Sequence, residues 1–537
     1  MIETLIWSFL LRFLQSLISA APFILAGLVV AGVFRRLMGR ENTVRMFGGN
    51  SRRSLLQAWL IGMLLPVCSL GVIPVIREMR RMGIKGGTIL AFAMSAPLFN
   101  PLSVLYGLTL SEPRAIIAFA FCSLIVVTGV GLIWDRLFPD SGQADEAPPE
   151  VSYGIKRMLA IGVAAGREAG GASAGYMLIG LVGVAMLGVI IPHGQLQHAM
   201  NGDNPIAPLT MSAVAIPVYA TPMLAMGQLG MMFQHANSPG AAFVLLALGA
   251  GMNLGLAAWM WRQYGFKRCA VWFALLMVVV LGLAYGVDRP LFPHEVDPAD
   301  HTHAFDIYTN PFHGPTPNVT HVAIEKLKRD TQPYERYACL LLGVVVLAGL
   351  LMNGIDRTGR IETWLESKPE TPVAGKLDVV VPGSVLGGLA LLGLVIASLV
   401  GCYAYYPAPE EALEQMNTAR VGACSAAMQG DEVETKYWVD IYQDWSRKLE
   451  VGSFLRDWQL SDYHRIKTRI LRERLELLKH EVEHHAEDEE EEHAEHDHHH
   501  HGEHDDDHHS EIRHLIAGIS RTHARLRVAF LEERSPE

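Results

Sequence analysis

The sequence predicts an all-α polytopic membrane protein with two inverted repeats, two additional spans and a C-terminal helical domain outside the membrane. Of the 537 residues, 50% are hydrophobic and 18% are charged, whereas an average soluble domain is about 25% charged. Eight apolar runs are long enough for a hydrocarbon core of ~30 Å, which takes about 20 residues to cross. Similar proline-containing segments recur in the two halves of the apolar region. A soluble enzyme is therefore disfavoured, and the net charge of −11 disfavours a nucleic-acid-binding protein.

The predicted spans follow the apolar runs. They lie near residues 18–38, 88–110, 115–138, 173–192, 240–261, 269–288, 337–354 and 378–403. Residues 1–17 carry Arg12 between apolar faces, and we expect them to form an interfacial helix that leads into the first span. They lack the basic n-region and the small-residue cleavage site of a signal peptide, so this segment is expected to be retained.

Two further apolar runs, 55–75 and 207–232, are interrupted by prolines and either cross the membrane as broken helices or return as re-entrant hairpins. Short cytoplasmic loops are enriched in Lys and Arg, which distinguishes the two arrangements. With both runs crossing, the cytoplasmic and opposite loops would contain 14 and 11 basic residues, against 20 and 5 with two hairpins. The hairpin arrangement gives the stronger bias and is predicted.

This arrangement gives each half three full spans and one hairpin, with the two hairpins entering from opposite sides. A sequence echo supports a duplication, because the interval from Pro66 to Asn100 is 34 residues and the interval from Pro217 to Asn253 is 36. Interrupted segments at matching places in two halves indicate the binding site of a transporter. The alternative is that Pro and Gly simply recur in a chain that contains 28 Pro and 50 Gly.

The predicted organisation has six parts. They are a first membrane repeat (1–138), a cytoplasmic linker (139–156), a second membrane repeat (157–288), an extracytoplasmic loop (289–335), two additional transmembrane helices (336–403) and an extracytoplasmic helical domain (404–537). In the last part, helical periodicity from Phe454 to Leu478 and from Ile512 to Phe530 predicts two helices that pack antiparallel. These helices would present a His-rich loop, 480–514, at their tip.

Two motifs, residues 65–74 (LPVCSLGVIP) and 96–101 (APLFNP), are typical of one known family. Over residues 10–288 the chain resembles the predicted permease family that includes the organoarsenical efflux permeases and proposed copper/zinc efflux transporters. The resemblance implies an inner-membrane exporter of soft metals, metalloids or their organic derivatives. Family members usually carry Cys-Ser-Cys-Gly where this chain has Cys68-Ser69-Leu70-Gly71. Trivalent arsenic typically needs more than one thiolate, so the single Cys68 favours Cu(I) or Zn(II), which also accept Met, His or carbonyl ligands.

The predicted transport pathway consists of residues at and after the two proline-broken segments. These residues are Pro66, Cys68, Ser69 and Asn100 in the first half and Tyr219, Thr221, Met223 and Asn253 in the second. The prolines free backbone carbonyls that protein, water or substrate must satisfy. The alternatives are core packing for Cys68 and Met223, and helix capping for Asn100 and Asn253.

Two further groups of polar residues are candidates for function. Arg167 and Glu168 would be functional at membrane depth; the alternative places them in the cytoplasmic headgroup layer. The 289–335 loop is a candidate accessory metal-binding segment, with His294, His301, His303, His313, His321, Asp297, Asp300 and Asp306. Cys402 and Cys424 can form a disulfide if their domain is extracytoplasmic.

The strongest compositional signal is a histidine-rich tract near the C-terminal end of the sequence. Thirteen of the 23 histidines fall within residues 480–514: His480, His484, His485, His493, His496, His498, His499, His500, His501, His504, His508, His509 and His514. Imidazole suits Zn, Cu and Ni, and the interleaved Glu and Asp add further ligands. With so few apolar residues, the tract is expected to be a disordered loop that binds several Zn or Cu ions. The alternatives are a solvated acidic linker and an expression tag.

Taken together, the sequence predicts a bacterial inner-membrane permease that exports Cu, Zn or a small complex of either. Organoarsenical or metalloid efflux is one alternative, and a metal-sensing or metallochaperone-docking membrane protein is another. The expected partners are the lipid bilayer, metal ions or small metal or metalloid complexes and a periplasmic metal carrier, with no nucleic acid. No cofactor is expected to be needed for folding. The sequence contains no Walker A segment, so a gradient-driven or passive transporter is expected rather than an enzyme.

Overall fold

The computed structural model places most of the chain in helices. It describes residues 2–49, 51, 53–110, 113–139, 155–192, 195–196, 198–292, 303–312, 318–367, 381–458, 460–494 and 503–532. Across these residues the only β pairing is one isolated bridge between Asn201 and Asn237. The chain divides into two compact units, Met1–Leu399 and Val400–Glu537.

The first unit contains eighteen α-helices within its described residues. They are α1 (Ile2–Val33), α2 (Gly39–Met46), α3 (Arg53–Leu64), α4 (Val72–Arg81), α5 (Gly86–Ser95), α6 (Pro101–Leu110), α7 (Pro113–Leu137), α8 (Ile155–Ala169), α9 (Ala172–Ile190), α10 (Ala207–Ala215), α11 (Pro222–Gln234), α12 (Pro239–Val244), α13 (Leu254–Tyr264), α14 (Phe266–Asp288), α15 (Val319–Arg329), α16 (Pro333–Ile355), α17 (Arg360–Glu366) and α18 (Gly383–Tyr405). A π-helical turn, Phe34–Met38, joins α1 to α2, and a second, Leu245–Ala250, extends α12.

Six of these elements are long and apolar enough to cross a membrane: α1 with its continuation to Met46, α7, α9, α14, α16 and α18. Their positions agree with six of the eight predicted spans. The prediction of an all-α polytopic membrane protein is thereby confirmed. The predicted interfacial helix 1–17 is not a separate element, because α1 runs without a break from Ile2 to Val33 and buries Arg12.

The prediction of unbroken spans at 88–110 and 240–261 was wrong. The first is divided at 96–100 into α5 and α6, because Pro97 and Pro101 lack the N–H groups that a continuous helix needs. The second is bent by 58° between Ala250 and Leu254. In both, an asparagine starts the next helix: Asn100 Oδ1 accepts from Ser103 N at 2.7 Å, and Asn253 Oδ1 from Leu256 N at 2.9 Å.

Contacts at one end of the first unit bring both ends of the α3–α4 pair together. Ser54 at the start of α3 lies 2.8 Å from Thr88 at the start of α5, measured between the two hydroxyl oxygens. Gly87 N donates to Asp135 Oδ1 near the end of α7 at 2.7 Å. The α3–α4 pair therefore begins and ends at the same end of the bundle, which we call the charged end because Arg77, Glu78 and neighbouring ions lie there.

The α10–α11 pair has the corresponding arrangement at the other end. Ser238 N, after α11, donates to Met200 O, before α10, at 3.0 Å. Gly240 N donates to Asp288 Oδ1 at the end of α14 at 2.8 Å. The Gly87–Asp135 and Gly240–Asp288 bonds span the same 48 residues of chain. We call this the strap end, after the segment 303–312 that packs there.

The second unit is built from four helices that pack in a closed cycle. They are α19 (Pro409–Met428), α20 (Glu432–Asp457), α21 (Asp462–Ala494) and α22 (Glu503–Glu532). Each packs on two others, with α19 on α20 and α22, and α21 on α20 and α22. A buried ion pair joins Arg472 Nη1 to Glu450 Oε2 at 2.5 Å inside this core.

The predicted disordered loop 480–514 is helical over most of its length. α21 runs to Ala494 and α22 starts at Glu503, while 495–502 lie outside the described residues. The helices continue because Val482 and Ile512 are buried and extend the apolar faces of α21 and α22. All six cysteines, including Cys402 and Cys424, are free thiols.

A buried histidine makes the second unit sensitive to acid. His523 Nδ1 lies 2.8 Å from the hydroxyl of Tyr442, and burial, with Arg420 and Arg527, lowers the pKa of His523 from 6.5 to about 4. The unfolded chain binds a proton below about pH 6.5 while the folded chain does not, so stability falls as the pH drops from about 6.5 towards 4. In the wild type, the α22 amides should become less protected from exchange between pH 7 and pH 5. In His523→Gln this fall in the free energy of opening should be smaller, by on the order of 1 kcal/mol.

Hydrogen exchange of the full-length protein measures this protection. The exposed His514 on the same helix provides the matched control, His514→Gln, which should leave the acid response unchanged. Equal acid responses in wild type and His523→Gln would contradict the assignment.

Candidate functional site

Four non-helical breaks lie in the core of the first unit. They are Leu65–Gly71 (break 1), Ala96–Asn100 (break 2), Ile216–Thr221 (break 3) and Gly251–Asn253 (break 4). Each break contributes apolar side chains to one hydrophobic core, among them Val67, Leu98, Val218 and Met252. We refer to the four together as the break cluster.

Glycines on α1 and α9 let helix backbones approach the breaks closely. A Cβ added at Gly27 would lie 1.9 Å from the carbonyl oxygen of Gly71, so α1 touches break 1 through backbone alone. A Cβ at Gly180 of α9 would lie 2.7 Å from Leu70 and 3.0 Å from Asn253 Oδ1, so this residue contacts both break 1 and break 4. Larger residues here would push the breaks apart.

Break 2 and break 3 complete the cluster. Leu98 packs against Gly251, whose added Cβ would lie 2.9 Å from Leu98 Cδ2, so breaks 2 and 4 are in contact. A Cβ added at Gly183 of α9 would lie 3.0 Å from the carbonyl oxygen of Pro217, so α9 also contacts break 3. Between the two halves, the side chains of Cys68 and Tyr219 are direct neighbours.

The structure buries seven of the eight predicted pathway residues. Cys68, Ser69, Asn100 and Asn253 have no exposed surface, and Pro66, Tyr219 and Thr221 are also buried. Met223 is partly exposed. Thr221 Oγ1 caps α11 by accepting from Leu224 N at 3.3 Å. The break cluster therefore contains the predicted set, with Met223 at its edge.

Four buried polar atoms of the cluster make no hydrogen bond of ordinary geometry: Ser69 Oγ, Asn100 Nδ2, Asn253 Nδ2 and Tyr219 Oη, the last of which lies beside the thiol of Cys68. The orientation of the two amides is fixed, because each Oδ1 already accepts a helix-capping bond. Leaving a buried donor unpaired costs roughly 1–3 kcal/mol. All four groups can donate, so an occupant that offers acceptor atoms would remove this cost.

The four breaks contain two soft side chains, the thiol of Cys68 and the thioether of Met252. Cys68 Sγ accepts from Gly71 N at 3.3 Å. Among the described residues no three His, Cys, Asp or Glu side chains are placed to hold one metal ion. The cluster can therefore offer a soft centre Cys68 and at most a thioether such as Met252, without a His or carboxylate set to complete its coordination.

Glu168 belongs to an ion cluster at the charged end, which we define as Arg35, Arg77, Glu78, Arg81 and Glu168. Glu168 Oε1 accepts from Arg77 Nε and from Ser173 Oγ, both at 2.5 Å, and Glu168 Oε2 lies 3.5 Å from Arg81 Nη1. Arg81 also pairs with Glu78, and Arg35 Nη1 lies 3.7 Å from Glu78 Oε1. Sequence reasoning missed Arg77, Glu78 and Arg81. The sequence did contain a signal for these residues, because they are three charged side chains close together directly after break 1.

Arg167 points to a different set of partners. Its Nη2 lies 2.9 Å from Asp356 Oδ2, and its Nε lies 2.6 Å from Glu362 Oε1. The backbone N–H of Ile361, then that of Arg360 and the guanidinium of Arg167, lower the pKa of Asp356 below its usual range. Arg167 thus fastens α8 to the α16–α17 turn.

Part of the predicted extracytoplasmic loop 289–335 is packed inside the first unit. We call residues 303–312 the strap. Ala304, Phe305 and Tyr308 of the strap are buried and join the same hydrophobic core as the breaks. The extracytoplasmic position of 289–335 stays a prediction, and the strap packs into the core because its apolar side chains gain from burial.

The candidate accessory metal segment in this loop lies partly outside the described residues, which do not include His294, His301, His313, Asp297 or Asp300. His321 is exposed, and its Nδ1 lies 3.6 Å from Glu325 Oε2. In the His-rich tract, only the side chains of His480 and His514 are described, so the metal-binding prediction for the other eleven histidines falls outside the described side chains.

The comparisons with known proteins agree with this architecture. The sequence pattern of the ArsP_1 family, described as a predicted permease, matches residues 6–287. The UPF0718 protein YcgR of Bacillus subtilis is 33% identical over 90 residues, which cover 17% of this chain and 31% of that protein. A Streptococcus mutans protein named "Putative two-component membrane permease complex subunit" is 23% identical over 123 residues, covering 22% of this chain and 41% of that protein.

The chain spans less than half the length of either of these relatives. No solved structure matches the chain. The family match covers more than half of the 537 residues and contains all four breaks. The predicted resemblance is confirmed: this multi-pass membrane protein belongs to the ArsP_1 family of predicted permeases.

Proposed function

We propose that this protein is an inner-membrane permease that exports a soft metal, Cu or Zn, carried as a small complex, through the break cluster. The observation that carries the proposal is the buried cluster itself, with the thiol of Cys68 beside four polar groups that lack partners. Non-helical backbone at membrane depth is tolerated where it is buried in protein or lines a path. The permease family supports transport as the function.

A small complex fits the cluster better than a bare ion. A bare Zn²⁺ or Cu⁺ needs several protein ligands, whereas the described cluster offers one thiol and four donor groups. A metal that arrives with its own oxygen or nitrogen ligands could accept hydrogen bonds from Ser69, Asn100 and Asn253. Cys68 would then supply soft contact to the metal.

We infer that the two halves are inverted repeats. The α3–α4 pair begins and ends at the charged end, whereas the α10–α11 pair does so at the strap end. The Gly–Asp bonds of equal span and the matching caps at Asn100 and Asn253 also support a duplication. Transporters of this type hold the substrate between their two interrupted segments.

The second candidate is efflux of a metalloid or its organic derivatives. The four unpartnered donors favour it, because oxygen atoms on such a solute are good acceptors. It differs from the first candidate in needing no Cu or Zn. Accumulation assays that compare cells given Cu, Zn or a methylated arsenical would separate the two.

We propose that the C-terminal unit lies on the extracytoplasmic side and that its His-rich tract binds the exported ion. Gly383 at the start of α18 packs on Leu37 near the charged end, and α18 is long enough to cross. The excess of Lys and Arg in the loops at the charged end supports a cytoplasmic position for that end. A periplasmic metal carrier would be the natural recipient of ions from the tract.

Replacement of Cys68 by Ser should weaken Cu(I) export about tenfold, equivalent to about 1.4 kcal/mol, because the soft contact is lost while the volume is nearly kept. Cys122 is another buried free thiol, on α7, and Cys122→Ser is the matched control. Metal accumulation in cells with equal amounts of each variant measures the effect. Undiminished export by Cys68→Ser would remove Cys68 from the path.

Deletion of residues 484–509 should remove most of the metal bound to the purified protein and leave the membrane unit intact, because most candidate ligands lie in this tract. Elemental analysis measures the bound metal. A variant with every His of 484–509 changed to Gln keeps the length and the acidic residues, and it should lose a similar amount. Unchanged metal content in both variants would contradict the proposed role.

Alkaline phosphatase fused after residue 532 should be active, since we place the C-terminal unit outside the cytoplasm. A fusion after Gly265, in the short basic loop between α13 and α14, should be inactive and serves as the control. An inactive C-terminal fusion with normal expression would reverse the assignment and make the His-rich tract cytosolic.

A further inference from the structure

We propose that Arg77 on α4 and Gln228 on α11 hold two separate closures of the path, one at each end of the break cluster, and that both closures are shut in this structure. This inference rests on the proposed transport function. Arg77 and Gln228 are positioning residues that control access to the break cluster, and this role does not depend on which solute is carried.

Arg77 and Gln228 occupy equivalent places in the two halves. Arg77 lies 11 residues after Pro66, and Gln228 lies 11 residues after Pro217. Each is carried by the helix that starts immediately after a break, α4 or α11. Each also uses its side chain to hold an element outside its own hairpin.

The first closure is ionic. Arg77 Nε donates to Glu168 Oε1 at 2.5 Å, which fastens α4 to the α8–α9 junction. Glu168 and Glu78 are 6% and 3% exposed, so separating a carboxylate from all its partners would be costly. Three arginines (Arg35, Arg77 and Arg81) share these two carboxylates. The carboxylates can therefore exchange partners as α4 moves, and the closure can open without leaving a buried charge alone.

The second closure is neutral. Gln228 Nε2 donates to the carbonyl of Ala304 at 3.1 Å, and Gln228 Oε1 accepts from the hydroxyl of Tyr308 at 2.7 Å. Gln228 and Tyr308 are buried, with exposed fractions of 1% and 0%. The strap is thus bound to α11 by both halves of one amide.

Arg12 holds the strap on its other side. Its guanidinium donates from Nε to the carbonyl of Thr309 at 3.1 Å and from Nη2 to the same oxygen at 2.9 Å, and it also donates to the carbonyl of Asp306. Ser8 adds a bond to Asn310 Oδ1 at 2.9 Å. The strap therefore bridges α1 and α11 across the end of the bundle opposite to the ion cluster.

Both closures face a site that is buried among the residues that the structure describes. Cys68, between them, has no exposed surface, and Tyr219 beside it is 3% exposed. A solute leaving the cluster must displace one end or the other. Opening one closure while its counterpart stays shut is the requirement for alternating access.

The thiol of Cys68 reports on which closure is open. Vesicles of both orientations are treated with a membrane-impermeant maleimide, and labelling of the Cys68 peptide is read by mass spectrometry, so the other five cysteines can stay. Wild type should be protected from both sides and fully labelled after denaturation. Glu168→Gln should raise labelling about tenfold from the charged end, which is the cytoplasmic side. Tyr308→Phe should raise it about fivefold from the other side only, the change expected from one lost hydrogen bond.

Two exposed residues provide matched controls. Glu325→Gln and Tyr285→Phe make the same two substitutions at exposed positions. In both variants Cys68 should be labelled as in the wild type. If Glu168→Gln is not recovered folded, Arg77→Lys tests the same closure, because it keeps the charge and loses the Nε contact. The proposal is overturned if labelling of Cys68 rises from the same side in both test variants. It is also overturned if labelling changes less than about twofold in both. The experiment measures access to Cys68 and not transport. If the variants label as expected but the protein transports no metal, the proposed function fails while the two closures stand.

Discussion

Peptide groups that leave helical geometry inside an apolar bundle must find their partners within the protein, and this constraint determines the centre of the molecule. The breaks meet it with short local bonds: Val67 N donates to Leu65 O at 2.8 Å, Val72 N to Cys68 O at 2.8 Å, and Gly251 N to Leu246 O at 3.0 Å. Part of the backbone of breaks 1 and 4 is thereby paired within its own stretch of chain. Gly27 and Gly180 then allow α1 and α9 to pack directly on this irregular backbone. Side-chain donors such as Asn100 Nδ2 are what remains unsatisfied.

Much of the fold could be predicted from the sequence, because length and hydropathy are enough to identify a helix that crosses the membrane without a break. α7, α14 and α16 were predicted within four residues at each end for that reason. The division of 88–110 was missed, since Asn100 and its flanking prolines lie in a run whose hydropathy is high throughout. The strap was missed as well. Its burial depends on Arg12 and Gln228, which are 291 and 75 residues away from His303 in sequence, and no local pattern reports such a distant pairing.

The candidate site was better predicted by motif than by chemistry. Prolines identified breaks 1 and 3. Asn100 and Asn253 were predicted as pathway residues, although the breaks that contain them were missed. The ion cluster escaped notice because its residues come from three elements, the π turn Phe34–Met38, α4 and α8, and only Arg167 and Glu168 were considered. Those two adjacent residues turned out to face different partners: Glu168 holds α4, whereas Arg167 holds the turn before α17. Two adjacent residues thus link the α3–α4 pair of the first half to helices outside the family match.

The π-helical turn Phe34–Met38 has a consequence for how this segment can vary. It contains the adjacent residues Arg35 and Arg36, whose side chains reach Glu78 on α4 and Glu366 on α17, the latter at 3.1 Å. A π turn amounts to one residue inserted into an α-helix. Deleting one residue here would restore ordinary winding and shift the residues inside the turn by up to one position, about 100° around the helix axis. Both arginines would then lose their register with their partners, so substitutions within the turn are better tolerated than a change in its length.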